Sequence, residues 1–286
     1  MTRIDRVLEQ ARAGIPGSEA RLLLSHVLDR SHAWLAAHAD EALAAPLAAQ
    51  FVNLVGRRAE GEPIAYLLGS REFYGRSFSV THEVLIPRPE TELLVDLGIV
   101  KIGTRRAANV LDLGVGSGCL AVTLALEIPS ARVTATELSP AAVALARRNA
   151  EQLGAGVRVI ESDWFSALAE QRFDLIVANP PYIADQDPHL GVGDLRFEPG
   201  LALSSGPDGL AAIRTIIREA PGHLSSGGWL FIEHGYDQAA AVAALLQAAD
   251  FRDIEQHRDL AGTLRVSGGR TGVRVSPALD GRGLRP

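Results

Sequence analysis

The sequence predicts an α/β fold, in which a seven-stranded, mostly parallel sheet is covered by helices on both faces and preceded by a small helical bundle and a β-hairpin. Three observations carry that expectation. Residues 1–70 show only the helical period, residues 71–87 change to the strand period, and residues 88–267 alternate short apolar runs with amphipathic helical ones, the pattern of a parallel sheet.

Within the first segment, Ile4, Val7, Leu8 and Ala11 fall on one helical face. Leu22, Leu23, Val27 and Leu28 follow, with Ser18 as the expected N-cap. A third stretch surrounds Trp34, and a longer one runs from about Pro46 to Arg58, with the proline in a first turn where its missing N–H costs little. Strand signals are absent here. From Arg71 to Pro87 the residues Phe73, Tyr74, Phe78, Val80, Val84 and Ile86 are separated by Gly75 and polar residues, as in a hairpin.

A helix is expected from about Glu90 to Ile102. Strands are expected at Val110–Leu113, Arg132–Glu137, Val157–Glu161, Phe173–Ala178 and Trp229–Glu233, with weaker ones near Phe251–His257 and Leu264–Ser267. Between them lie helical patterns at Ser117–Glu127, Pro140–Leu153, Leu210–Ala220 and Gln238–Ala249, and Ser139-Pro140 reads as an N-cap followed by a proline at the first helical position. Ligands in such folds sit at the carboxyl ends of the strands. Residues 268–286, rich in Gly, Arg and Pro without periodicity, are expected to form a disordered tail.

Composition narrows the function classes. With 47% apolar and 22% charged residues over 286 positions, the chain can bury a full core. A net charge of −6 argues against a surface built to neutralise phosphates. The sole cysteine, Cys119, excludes an intrachain disulfide framework, suits a reducing cytosol, and is expected to be a packing residue. The eight histidines lack the paired spacing of a zinc site, so no metal is expected. Residues 1–13 carry charge throughout, and no apolar run approaches the ~20 residues that span a bilayer, so a soluble, cytoplasmic protein is expected.

Three motifs carry chemistry. Asp112-Leu113-Gly114-Val115-Gly116-Ser117-Gly118 stands where a strand turns into a helix, and its glycines let a ligand approach the backbone. By itself such a loop is weak evidence, since a plain tight βα turn has the same form, and its spacing departs from the dinucleotide fingerprint. Glu137 ends the next strand, about twenty residues on, the offset at which a carboxylate accepts hydrogen bonds from ribose hydroxyls. Loop and carboxylate together point to an adenosine-containing cofactor and leave NAD and S-adenosylmethionine as rivals.

The third motif, Asn179-Pro180-Pro181-Tyr182, directly follows the apolar run Phe173–Ala178. Two prolines cannot continue a sheet ladder, so the chain leaves the strand in a stiff, extended form. An amide nitrogen is a poor nucleophile because its lone pair is delocalised into the carbonyl, and alkylation needs both N–H bonds held by acceptors. The Asn179 side-chain oxygen and the Pro180 carbonyl can supply them, with Tyr182 as an aromatic wall. A strand-ending Pro-Pro turn explains the prolines but neither the Asn nor the Tyr.

Asn-Pro-Pro-Tyr resembles the fourth motif of class I methyltransferases that act on planar amino or amide nitrogens. Four further stretches are similar to one family in particular: Gly61-Glu62-Pro63-Ile64-Ala65-Tyr66-Leu67-Leu68-Gly69, Arg71-Glu72-Phe73-Tyr74-Gly75, Leu85-Ile86-Pro87-Arg88-Pro89-Glu90-Thr91-Glu92 and Arg196-Phe197-Glu198-Pro199. They occur in order over most of the chain and resemble the HemK/PrmC family, the N5-glutamine methyltransferases of peptide chain release factors.

The resemblance implies a Rossmann-like class I fold and S-adenosyl-L-methionine as cofactor. It implies that Gly114, Val115, Gly116, Ser117 and Gly118 line its methionine and ribose, that Glu137 holds the ribose hydroxyls, that Asp163 and Trp164 flank the adenine, and that Asn179 borders it. It implies that Asn179, Pro180, Pro181 and Tyr182 bind the substrate glutamine of a Gly-Gly-Gln motif, with Asn179, Pro180 and Tyr182 catalytic, and that Pro87 to Glu92 border the same pocket. The helical domain would recognise a class I release factor, in the service of translation termination. Two departures stand out: Val115 replaces the hydroxyl residue usual in the glycine loop, and the chain from Ser267 to Pro286 is unlike the family's ending.

Rival readings remain. An adenine-N6 DNA methyltransferase poses the same geometric problem but needs a target-recognition region and a basic groove. A noncatalytic module would use the loop only to sense cofactor. An NAD oxidoreductase lacks any residue suited to hydride chemistry.

Overall fold

The structure is a computed structural model that describes residues 2–103, 105 and 107–272. A two-residue strand β1 (Thr2–Arg3) leads into α1 (Ile4–Ala11), α2 (Gly17–Leu28) and α3 (His32–Ala37). Strand β2 (Ala42–Leu43) then pairs antiparallel with β1, and α4 (Ala45–Ala59) and α5 (Ile64–Leu68) follow. Helix α2 packs against α1, α3, α4 and α5. Their shared core holds Ile4, Val7, Leu23, Leu24, Leu35, Phe51 and Leu67. The short β1–β2 pair lies in a region where the sequence shows no strand signal, because two residues are too few to display a period. The expected Ser18 cap is also corrected: the cap position is Pro16, two residues earlier, with no side-chain cap.

A tight hairpin, β3 (Ser70–Phe73) and β4 (Arg76–Ser79), comes next. Its two-residue turn, Tyr74-Gly75, has φ of 51° and 70°, the left-handed pair whose twist matches that of the strands. The rings of Phe73 and Phe78 meet edge to face, with centroids 6.2 Å apart. The strand pairing ends at Ser79, so Val80 to Arg88 are irregular rather than a continued hairpin.

A 3-10 turn at Pro89–Thr91 opens α6 (Glu92–Ile102). Then come β5 (Asn109–Leu113), α7 (Cys119–Glu127), β6 (Arg132–Glu137), α8 (Pro140–Gln152), β7 (Val157–Glu161), β8 (Phe173–Ala178), α9 (Ala211–His223), β9 (Leu224–Glu233), α10 (Ala239–Ala248), β10 (Arg252–Arg258) and β11 (Leu264–Arg270). The seven later strands form one sheet in the order β10-β11-β9-β8-β5-β6-β7, parallel except for β11, which is antiparallel to both its neighbours.

Alternate residues of the central strands serve opposite faces, as the two-residue strand period requires. Val110, Leu175 and Val177 join α6, α7 and α8 in one core. Leu111, Leu113, Ile176 and Ala178 join α9 and α10 in the other. The sheet therefore has helices on both faces, as the sequence predicts.

The end of the chain corrects an expectation. Gly268, Gly269 and Arg270 belong to β11, paired with Phe231, Leu230 and Trp229, and are not the start of a tail. Their glycines reflect close approach: a Cβ on Gly268 would stand 2.2 Å from the Phe231 ring. Thr271 still donates its N–H to the Gly228 carbonyl at 2.9 Å, and residues 273–286 of the expected tail lie outside the described residues.

Candidate active site

Strand order locates the site. From β5 the chain moves outward through β6 and β7, then returns to place β8 on the other side of β5. The connections after β5 and β8 therefore diverge and leave a crevice at their carboxyl ends. A cleft of about 260 Å³ lies there, bordered by the glycine loop, the end of β6, the turn after β7 and the Asn-Pro-Pro corner after β8.

The loop after β5 is folded against β6. The N–H groups of Gly114 and Val115 donate to the Thr136 carbonyl at 2.9 and 3.0 Å. Gly116 has φ 53°, and a Cβ built there meets no atom within 4 Å. Its N–H donates to Glu137 Oε2 at 3.0 Å, and the Ser139 N–H donates to Glu137 Oε1 at 3.0 Å. Each carboxylate oxygen keeps a lone pair for a further donor.

Asp112, buried at the end of β5, also borders the cleft and accepts from the Ala121 N–H at 3.1 Å. Burial raises its pKa to about 7; the Ala121 bond opposes the shift and the nearby Glu137 charge adds to it.

Not every residue singled out in the sequence reaches the cleft. Gly114, Val115, Gly116, Ser117, Glu137, Asp163, Trp164, Asn179, Pro180 and Pro181 border it; Gly118 and Tyr182 do not. Gly118 starts α7 with φ 88°, and a Cβ there would fall 3.2 Å from the Ala146 backbone of α8. It is a helix-packing glycine. Tyr182 packs on the core beneath α9 and α10, its carbonyl accepts from Gln238 Nε2 at 2.9 Å, and its hydroxyl interacts with Glu233. Burial raises its phenol pKa, so Tyr182 is a neutral prop behind the corner rather than a wall of the cleft.

Trp164 takes φ 44°, a left-handed turn conformation, and lies across Gly114, where a Cβ would approach the indole to 3.5 Å. Ser162 builds this turn: its hydroxyl donates to the Trp164 carbonyl at 3.1 Å and accepts from the Ala167 N–H at 3.0 Å.

At the corner, Asn179 Nδ2 donates to Thr91 Oγ1 at 2.9 Å, and Thr91 Oγ1 donates to Glu233 Oε2 at 2.7 Å. The other half of the amide, Asn179 Oδ1, is buried and has no hydrogen-bond partner, although Asn179 borders the cleft. Native structures leave few buried acceptors unsatisfied. Val115, by contrast, is buried in the core formed with α6, α7 and α8.

Two family models match successive parts of the chain. The PrmC N-terminal domain model matches residues 1–69, and the methyltransferase small domain model matches residues 91–197. The release factor glutamine methyltransferase of Bordetella pertussis is 54% identical over 260 residues, covering 91% of this chain and 96% of its own. That of Burkholderia pseudomallei is 54% identical over 259 residues, covering 88% and 91%. The chain belongs to the release factor glutamine methyltransferase family. A methyltransferase from Pyrococcus furiosus shares the fold, with a TM-score of 0.54 at 19% identity over 77% of this chain and 99% of its own.

Within this family member the segment Pro87 to Thr91 reaches the cleft through Pro87, Arg88 and Thr91. It is held there by Glu198, whose buried carboxylate pairs with Arg88 and accepts from the Ile86 N–H at 3.4 Å. Two of the sequence motifs, widely separated along the chain, are thus one structural unit. Cys119 remains a packing residue: burial pushes its thiol up to about 12, far from a reactive thiolate. No group of His, Cys, Asp and Glu among the described residues could hold a metal ion.

Asp112 heads the glycine motif in the sequence but is given no role there, and Glu233 is not singled out at all, although it is an acidic residue closing an apolar strand, a signal that could have found it.

Proposed function

We propose that this chain transfers the methyl group of S-adenosyl-L-methionine to the side-chain amide nitrogen of the glutamine in the Gly-Gly-Gln motif of class I peptide chain release factors. The observation that carries the reading is the buried, unpartnered Asn179 Oδ1 at a cleft bordered by the glycine loop and Glu137.

The residues present fit the cofactor. Glu137 offers lone pairs for ribose hydroxyls, Gly116 leaves open space beside the loop, and the Trp164 indole offers a flat face for adenine. Asp163 stands next to it. When bound, the cofactor supplies an electrophilic methyl group on a sulfonium.

The chain's own contribution is to position the nucleophile. Asn179 Oδ1 accepts one N–H of the substrate amide and the Pro180 carbonyl accepts the other. With both bonds fixed the nitrogen presents its face to the methyl group, and rigid prolines hold the acceptors at little entropic cost. The nitrogen gains a methyl group and loses a proton, which passes to water or to a carbonyl. That proton becomes acidic only as the new bond forms, so no strong base is needed beforehand.

The helical domain, α1 to α5, is the part proposed to recognise the release factor. It is joined to the cleft by the segment after β8: Arg58 pairs with Asp194 at 3.4 Å, and Arg196 donates to the Glu60 carbonyl.

The test is mass spectrometry of a release factor after incubation with this protein and S-adenosylmethionine. The glutamine of Gly-Gly-Gln should gain one methyl group with the unaltered chain. Asn179→Ala should gain none while binding cofactor with unchanged affinity. Transfer to DNA instead, or normal turnover by Asn179→Ala, would refute the reading.

A further inference from the structure

Asparagine carries an acceptor on one side of its amide and two donors on the other, and a rotation of half a turn exchanges them. The corner after β8 works as an acceptor only if the oxygen faces the cleft. Something must set that choice.

The ends of the strands provide it. Ala178 pairs with Ile232 across β8 and β9, so Asn179 and Glu233 are the next residues at adjacent strand ends. Thr91, from the turn that opens α6, stands between them: Asn179 Nδ2 lies 2.9 Å and Glu233 Oε2 2.7 Å from its hydroxyl. Thr91 and Glu233 are both buried, at 3% and 1% exposure, so the bond between them is shielded from water.

The hydroxyl has a single hydrogen. A carboxylate can only accept, so the Thr91 hydrogen points at Glu233, and what remains toward Asn179 is a lone pair. Only the NH2 side of the amide can meet a lone pair. We propose that Thr91 and Glu233 are positioning residues for the methyl transfer, fixing the Asn179 amide so that its oxygen faces the substrate. This rests on the reading of Asn179 as the substrate's acceptor.

The arrangement depends on Glu233 being ionised. Facing it are Thr91 and Glu90 from the turn before α6, Tyr182 from the corner, Arg265 from the start of β11, and Cys119 at the start of α7. Burial dominates and raises the carboxyl to about 7, with the Thr91 bond, Arg265 and Tyr182 opposing the shift and Glu90 adding to it. Once protonated, Glu233 can donate to Thr91, the hydroxyl hydrogen is released, and the amide is free to turn.

The experiment compares Thr91→Val, Thr91→Ser and Glu233→Gln with the unaltered chain, using a release factor as methyl acceptor. Steady-state constants, cofactor affinity and the pH profile from 6 to 9 are measured. Thr91→Val should lower kcat roughly 10- to 100-fold through misplacement of the acceptor, with little change in cofactor Kd. Thr91→Ser, which keeps the hydroxyl, should recover most of it.

The unaltered chain should lose kcat as the pH falls through about 7, and Glu233→Gln, whose amide does not titrate and can donate to Thr91 as well as accept from it, should be slower and should lack that acid limb. Thr91→Val with unchanged kcat, Thr91→Ser no better than Thr91→Val, or an acid limb retained in Glu233→Gln would overturn the proposal alone. Absence of transfer by the unaltered chain would overturn the reading on which it rests, and the proposal with it.

Discussion

Two glycines of the loop after β5 make a controlled pair. Gly116 and Gly118 are both left-handed, with φ of 53° and 88°, so alanine at either pays a backbone strain of roughly 1–2 kcal/mol. Their surroundings differ. A methyl group on Gly116 meets no protein atom within 4 Å and projects into open space at the edge of the cleft. A methyl group on Gly118 would crowd the Cα, Cβ and carbonyl oxygen of Ala146 at 3.2–3.4 Å, forcing α7 and α8 apart.

Overpacking of this kind adds about 1–3 kcal/mol, so Gly118→Ala should lose about 2–5 kcal/mol in all. At roughly 2–4 °C per kcal/mol for a chain of this size, that is a fall in Tm on the order of 10 °C, against a few degrees for Gly116→Ala. Cofactor binding should invert the ranking, with Gly116→Ala losing affinity and Gly118→Ala keeping most of it at a temperature where it is folded. Thermal unfolding without ligand, together with calorimetric titration of S-adenosylmethionine, separates the two effects. A Gly118→Ala protein of native stability that fails to bind cofactor would refute the packing assignment and return Gly118 to the cleft.

Two further outcomes follow from buried positions. Asp112 is raised from 3.8 to about 7, so the native state holds a proton that the unfolded chain releases. Its stabilising contribution is complete below the unfolded value and is lost as the pH rises toward about 7, up to roughly 4 kcal/mol in total. Asp112→Asn retains an acceptor for the Ala121 N–H and should flatten the decline of Tm between pH 5 and 8 in the ligand-free protein; an unchanged slope would show that Asp112 is not its source. In β11, Gly268→Ala would place a methyl group 2.2 Å from Phe231 and 2.5 Å from the Leu230 carbonyl, and should destabilise by about 2 kcal/mol or more, read as a lower urea midpoint.

Much of the fold is legible because the central strands are buried on both faces and therefore stand out as apolar runs between helical patterns. Arg132–Glu137 and Phe173–Ala178 begin and end where the sequence predicts, and so does the edge strand Val157–Glu161, although only Val159 of it is buried. Edges are harder to read. Strand β9 begins at Leu224, earlier than its apolar run, because Ser225 to Gly228 form an irregularity in its pairing with β8 and carry no hydrophobic signal. Strand β11 runs on through Gly268 and Gly269 for a related reason: residues chosen for close approach to Phe231 have the composition of a loop. Local composition reports what a side chain does, and in these stretches the backbone carries the structure.

The same distinction divides the candidate site. Gly114 to Ser117, Glu137 and Asn179 announce themselves, because a ligand loop, a strand-end carboxylate and a Pro-Pro corner each have a local sequence form. Gly118 has the form of a ligand glycine and the surroundings of a packing one, and only the approach of Ala146 distinguishes them. No local form in the sequence ties Thr91 or Glu233 to Asn179. They are 88 and 54 residues from Asn179 along the chain, and meet it only because β8 and β9 are parallel neighbours and the turn before α6 closes over their ends. An asparagine in the sequence supplies both a donor and an acceptor; which of the two faces the cleft is decided by a threonine hydrogen, and that hydrogen by a carboxylate the sequence places on another strand.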